Sequence, residues 1–254
     1  VSRNNSHKKP KRHRTTEFSD GFALEPGRIL ARKYSVIRCL GTGWEGEVYL
    51  VRERATGIER AVKLFFPHRN QHDKAAKYYA AKLHKLRQCS IVIQYHTQET
   101  LMLRGTPITA LVSEFVEGEL LSDFLARQPG KRLTPFQAVH LLHALASGME
   151  CIHQMREYHG DLHGDNIIVQ RYGLHFDLKL LDFFQWGASR SDNVRDDVID
   201  LVKIFYESLG GRRTYSRQPP EVKAICRGLK RSLILQNFTT AGRLRHYLET
   251  MEWR

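Results

Sequence analysis

Asp161, Asn166 and Asp182 are the residues whose types and spacing could do chemistry together. The stretch His159-Gly160-Asp161-Leu162-His163-Gly164-Asp165-Asn166 sets an Asp and an Asn five residues apart in a polar, glycine-containing loop. Sixteen residues past Asn166, at the end of the apolar run Lys179-Leu180-Leu181, comes Asp182. A carboxylate beside a nucleophile can accept or polarise its proton. An amide oxygen and a second carboxylate are hard ligands, suited to sharing a hard divalent cation. Asp165 reads as a solvated loop residue rather than a ligand.

A second set lies far upstream. Gly41-Thr42-Gly43-Trp44-Glu45-Gly46-Glu47-Val48 spells G-x-G-x-x-G-x-V. Such loops let backbone N–H groups approach phosphates without Cβ obstruction. A dinucleotide-binding reading requires a helix to follow, whereas Glu47-Val48-Tyr49-Leu50 is strand-like. Lys63 follows Val48 by fifteen residues, in the apolar segment Ala61-Val62-Lys63. A buried lysine is costly without an anionic partner or ligand, so one is expected there.

The elements that must position these residues fall into two groups. Tyr34–Leu40, Val48–Val51 and Ile58–Phe66 read as a meander of strands, with Ala55-Thr56-Gly57 as a turn. Ala75, Ala76, Tyr79, Ala80, Leu83 and Leu86 recur at helical spacing and predict a helix over 73–88. Further strands are expected at Ile91–Tyr95, Leu101–Leu103 and Ile108–Phe115. Beyond Gly118 the pattern turns helical. Leu120–Arg127 is short, and Thr134-Pro135 caps a helix striped by Val139, Leu142, Leu145, Met149 and Ile152. Two short strands flank Arg171-Tyr172-Gly173, Asp197–Leu209 is helical, and two helices are expected near 221–235 and 240–251. The fold class is therefore α+β, two-lobed, with a ligand cleft between the lobes. The domain reading is a disordered basic tail over 1–20 and one domain over 21–254, its lobes at about 28–117 and 118–254.

Composition excludes little. With 41% hydrophobic and 26% charged residues the chain is an ordinary globular one. No run of 18 apolar residues and no secretory signal is visible, which predicts a cytoplasmic protein without a membrane span. Cys39, Cys89, Cys151 and Cys226 are widely spaced with no C-x-x-C pair, which predicts reduced thiols and no structural zinc. The formal charge is +13, and Arg3, Lys8, Lys9, Lys11, Arg12 and Arg14, with no acid among residues 3–14, make that stretch of the tail +6. Such a tail would attract a polyanion, or simply be solvated.

The ordered motifs resemble those of protein-kinase-like phosphotransferases, whose patterns are H-R-D-L-x-x-x-N, D-F-G and a V-A-I-K strand. The resemblance covers about Tyr34 to Gly211. It implies ATP and Mg²⁺ as cofactors, with Gly41, Thr42, Gly43, Gly46, Val48 and Ala61 lining the nucleotide site and Lys63 holding its phosphates. Leu111-Val112-Ser113-Glu114-Phe115-Val116-Glu117-Gly118 resembles the family's hinge, where Glu114 and Val116 would offer backbone groups to adenine. Asp161 would be the catalytic base or hydroxyl-orienting group, His163 would contact the transferring phosphate, and Asn166 and Asp182 would be the metal ligands. Asp197 would tie the catalytic loop from below.

Four departures shape the expectation. No acid stands between Asp73 and Glu99, so the helix lacks the family's Glu partner for the strand lysine, and Tyr79 falls near that position. Balance for Lys63 is then expected from Asp182 or the nucleotide alone; otherwise catalysis is impaired. Gly160 replaces the Arg that would receive a phosphorylated activation loop, so such control is not expected. The D-F-G motif reads Asp182-Phe183-Phe184. Only fourteen residues separate Asp182 from Asp197. The compact form is similar to RIO-type kinases, aminoglycoside and choline phosphotransferases, and bacterial eukaryotic-like kinases. The leading reading is a Ser/Thr-kinase-like enzyme phosphorylating a protein hydroxyl. The alternatives are a small-molecule kinase and a pseudokinase acting as a binding module.

Overall fold

The computed structural model describes residues 21–183 and 189–253. The expected basic tail and Phe184 of the D-F-F sequence lie outside the described residues. The first half of the chain builds a six-stranded antiparallel sheet from β1 (Ile29–Leu30), β2 (Tyr34–Thr42), β3 (Gly46–Glu53), β4 (Glu59–Phe65), β5 (Tyr95–Leu103) and β6 (Thr106–Glu114). Its spatial order is β1-β2-β3-β4-β6-β5. Strand alternation sorts β4: Val62 and Leu64 face a core with Val36, Tyr49, Val51 and Ile108, while Ala61 and Lys63 share the other, half-buried face. Gly46 is required by close approach, since a Cβ there would sit 1.9 Å from the Leu64 carbonyl oxygen. The N-terminal segment is tied to this hairpin. The buried Glu47 carboxylate accepts the Phe22 N–H at 3.0 Å and the Tyr49 hydroxyl, and Phe22 stacks on Phe66.

Helix α1 (Lys74–Lys85) crosses one face of the sheet, burying Ala76, Tyr79 and Leu83. The second half is mainly helical, with α2 (Leu121–Ala126), α3 (Pro135–Gln154), α4 (Arg190–Ser208), α5 (Pro220–Cys226), α6 (Arg231–Asn237) and α7 (Ala241–Thr250). A small sheet of β7 (Glu119–Leu120), β8 (Ile167–Tyr172) and β9 (His175–Leu180) carries the loops that hold Asp161 and Asp182. Thr134 starts α3 with a complete capping box to Gln137, a device worth about 1 kcal/mol. From there Leu141, Leu142, Leu145, Met149 and Ile152 run fully buried into the large core.

The α+β, two-lobed class matches the expectation, with three local corrections. Ile91–Tyr95 is not a strand: its apolar side chains fill the core from a loop, and only Val92 forms a bridge, to Leu180. Strand β5 instead begins at Tyr95 and runs to Leu103. The expected helix over 221–235 is two, α5 and α6, because Arg227 and Gly228 take left-handed backbone angles between them.

The third correction concerns the cysteines. Cys89 and Cys151, expected to be reduced, form a disulfide with Cα atoms 5.8 Å apart. It joins the loop after α1 to α3 across 62 residues. Sequence spacing could not show this pair, because only the folded helix register brings the two together. Digestion without reductant should release a cross-linked peptide pair carrying both residues. Reduction should lower stability in a urea titration by about 2–4 kcal/mol. Four labelled thiols in the denatured, unreduced chain would refute the pairing. Among the described residues no helix is long and apolar enough to cross a membrane.

Candidate active site

Lys63 projects from β4 into a box of two carboxylates and two aromatic rings. Its Nζ donates to Asp182 Oδ1 at 2.7 Å and to Glu45 Oε2 at 2.8 Å. It lies 4.8 Å from the centre of the Tyr79 ring and 5.3 Å from that of Phe65. Burial works to lower the lysine's pKa, but Asp182, Tyr79 and Glu45 outweigh it and hold the ammonium charged, above its usual range. The Glu45 partner was not expected from the sequence, which offered only Asp182 or the nucleotide. The signal for it was present: a carboxylate inside the glycine-rich loop, beside a helix with none. Tyr79 occupies the place facing Lys63, and its hydroxyl accepts the Asp182 N–H at 3.3 Å. Burial, then the Asp182 charge, pushes the phenol's pKa well above the usual tyrosine value, so it stays neutral.

The second half of the site is a loop held by its own hydrogen bonds. The Asn166 side chain is buried and donates from Nδ2 to the Asp161 carbonyl at 2.8 Å, leaving Oδ1 as the atom with ligand character. The Asp161 carboxylate is half exposed, with His163 Nε2 3.6 Å away. His163 also meets Asn166 Nδ2 at 3.0 Å, so its ring lies inside this cluster. Leu181 N–H donates to the Asn166 carbonyl at 2.8 Å, which locks the Asp182 segment to the Asp161 segment.

Beneath them, the fully buried Asp197 of α4 accepts the His159 and Gly160 N–H groups at 2.8 and 2.9 Å. His159 is buried, and burial lowers its pKa, so the ring is neutral. Its Nε2 donates to the Leu181 carbonyl at 2.8 Å and its Nδ1 accepts the Asp161 N–H at 3.3 Å. One neutral imidazole therefore fixes both the Asp161 and the Asp182 backbones.

The glycine-rich loop turns through Gly43–Glu45, between Thr42 at the end of β2 and Gly46 at the start of β3, closed by Gly43 N–H on the Gly46 carbonyl at 2.9 Å. A Cβ on Gly41 would meet nothing within 4 Å, and one on Gly43 would meet only the Gly46 carbonyl oxygen at 4.0 Å. Neither glycine is demanded by protein packing, which is what a cradle for a phosphate chain would look like. Val48 pairs with Lys63 in the strand register, and Leu50 with Ala61, so Val48, Ala61 and Lys63 lie on one face. Glu114 ends β6. Its N–H goes to the Gln94 carbonyl, and its carboxylate takes Lys179 Nζ at 2.8 Å and the Gln94 N–H. Its side chain is thus structural, while Val116 packs against the large core.

A β-sheet lobe with a glycine-rich hairpin, a strand lysine, and an Asp–Asn loop braced from a buried helix are together the architecture of the protein-kinase class. Residues 34–215, more than half of the chain, match the protein kinase domain, and the chain belongs to that family. The family implies ATP, a divalent metal and a hydroxyl acceptor. Among curated relatives, the chain is 31% identical over 157 residues to the serine/threonine-protein kinase pkn2 of Myxococcus xanthus, covering 61% of this chain and 18% of that protein. It is 26% identical over 186 residues to the serine/threonine-protein kinase PrkC of Bacillus subtilis, covering 72% and 27%. The chain thus spans less than a third of either relative. Its fold is similar to the PknI kinase domain of Mycobacterium tuberculosis, with a TM-score of 0.63 and 19% identity over 89% of this chain and 98% of that one.

Proposed function

We propose that this chain is an ATP- and Mg²⁺-dependent Ser/Thr protein kinase that does not depend on activation-loop phosphorylation. The observation that carries this reading is the continuous chain of bonds from Lys63 through Asp182 and Leu181 to Asn166 and Asp161. When bound, the nucleotide supplies the phosphoryl group and Mg²⁺ offsets its charge. Lys63 orients the phosphates, Asn166 and Asp182 supply hard oxygens to the metal, and Asp161 holds the acceptor hydroxyl and takes up its proton. Its exposed carboxylate suits a hydroxyl arriving from outside.

The test is γ-labelled ATP with Mg²⁺, following label into the chain itself, an added basic protein, and small alcohols. Label in protein supports the reading. Label only in a small alcohol makes this a small-molecule kinase. Bound nucleotide without transfer makes it a binding module, a reading that the replacement of the helix carboxylate by Tyr79 favours. In Asp182→Ala, nucleotide affinity should lose its dependence on Mg²⁺; an unchanged Mg²⁺ titration would refute the metal role.

Glu45 gives a separate expectation. In this structure it neutralises Lys63 from the loop that would cover the phosphates, so it competes with them for the same ammonium. Glu45→Gln should tighten ATP binding by about three- to tenfold, roughly 1 kcal/mol for a partly exposed pair. A fluorescence titration showing weaker binding would mean that Glu45 instead holds Lys63 ready for the nucleotide.

A further inference from the structure

Helix α1 brings no carboxylate to Lys63, since no Asp or Glu lies between Asp73 and Glu99. What it brings is Tyr79, only 6% exposed and in the same core as Phe65, Ala76 and Leu83. This side chain touches the site twice, through different parts. The face of its ring lies 4.8 Å from Lys63 Nζ, within reach of a cation–π attraction. Its hydroxyl accepts the Asp182 N–H at 3.3 Å.

An independent observation comes from the backbone of Asp182, whose φ is 49°. Residues with a Cβ rarely adopt this left-handed conformation, and it persists where neighbours hold it. The preceding residue is held from below, Leu181 N–H by the Asn166 carbonyl and the Leu181 carbonyl by His159. Asp182 itself is held from above, its N–H by Tyr79 and its carboxylate by Lys63. The charges point the same way. Glu45 and Asp182 already set two carboxylates on one ammonium. A third, from α1, would repel both of them and the phosphates of a nucleotide. A phenol supplies an acceptor and a π face without charge, and burial beside Asp182 keeps it protonated.

We propose that Tyr79 is a positioning residue for phosphoryl transfer: its hydroxyl fixes the backbone of Asp182 and its ring seats the Lys63 ammonium, with Glu45 of the glycine-rich loop supplying the counter-charge that α1 lacks. The role in transfer rests on the kinase reading above, whereas the hold on Asp182 is open to test without it.

The test is amide hydrogen exchange at Asp182, followed by NMR on the whole chain without nucleotide, beside transfer from γ-labelled ATP with Mg²⁺. Tyr79→Phe keeps the ring and removes the acceptor. Exchange at Asp182 should quicken by about three- to tenfold, as for the loss of one hydrogen bond, while the Leu181 amide keeps its rate. kcat should fall by a similar factor with KM for ATP within about twofold, because the ring still seats Lys63. Tyr79→Leu removes both contacts and should also weaken ATP binding by at least about threefold. Tyr79→Glu should weaken ATP binding as well, because it adds the third carboxylate. Unchanged Asp182 exchange in Tyr79→Phe, or an equal quickening at Leu181, overturns the proposal. So does faster transfer in Tyr79→Glu, which would make the tyrosine a defect of the site. An unaltered chain that transfers no phosphate to any acceptor overturns the kinase reading, and the exchange rates then still decide whether Tyr79 holds Asp182.

Discussion

Asp161→Ala is expected to slow phosphoryl transfer by about 10²- to 10⁴-fold, the range for removing a positioned general base, while nucleotide affinity stays within about twofold. The reason is where the carboxylate sits. It is half exposed, and its contacts to the protein are a 3.4 Å approach from Asn166 Nδ2 and the 3.6 Å neighbour His163. The fold's own bonds use its backbone instead: the carbonyl takes Asn166 Nδ2, and the N–H goes to His159 Nδ1. Alanine is therefore expected to keep the loop while removing the carboxylate that the proposed mechanism uses. Single-turnover transfer from γ-labelled ATP, beside a nucleotide-binding titration, reads both halves. Turnover that survives would remove Asp161 from the mechanism; lost nucleotide binding would mean that the substitution disturbs the loop.

Asp197→Ala is expected to act in the opposite sense, on the fold first and on activity as a consequence. This carboxylate is fully buried and accepts two backbone N–H groups and the His153 ring nitrogen. Its removal leaves those donors buried without a partner, at about 1–3 kcal/mol each when nothing replaces it. The expected loss in a urea titration is about 3–5 kcal/mol, as for breaking a buried charged network. That is a large share of the roughly 5–15 kcal/mol that holds a domain together. Asp197→Asn keeps one acceptor oxygen and should lose about half as much. A loss below about 1 kcal/mol for the alanine variant would show that water replaces the carboxylate.

Much of this was legible in the sequence because it is local. The glycine-rich loop lies between two strands, Lys63 sits fifteen residues past Val48, and the Asp161–Asn166 loop closes on itself within five residues. What escaped depends on contacts between distant segments. Glu45 meets Lys63 across 18 residues, and only the bend of the hairpin tip brings it there. Cys89 and Cys151 meet because Ile91 and its neighbours run as a loop over α3, whereas the apolar run alone suggested a strand. The three short C-terminal helices read as two because their apolar spacing continues through Arg227 and Gly228, and left-handed angles at those residues leave no mark on periodicity.

The short stretch from Cys89 to Val92 is held to the helical half by three kinds of contact. Its first residue is bonded covalently to α3, its Ile91 carbonyl accepts the Leu180 N–H at 2.8 Å, and Val92 bridges to Leu180. Ile91 also presses on α3 at Gly148, where a Cβ would come within 2.3 Å of it. The sheet half of the molecule is thus pinned covalently to the helical half here, beside the polar bonds that Lys63 and Tyr79 make to Asp182 and Glu114 makes to Lys179. Any opening of the cleft becomes a rotation about that pin, and displacement grows with the lever arm. The glycine-rich tip, out at the hairpin of β2 and β3, would travel furthest, while the bonds that join Asp182 to Asn166, close to the fulcrum, would scarcely move.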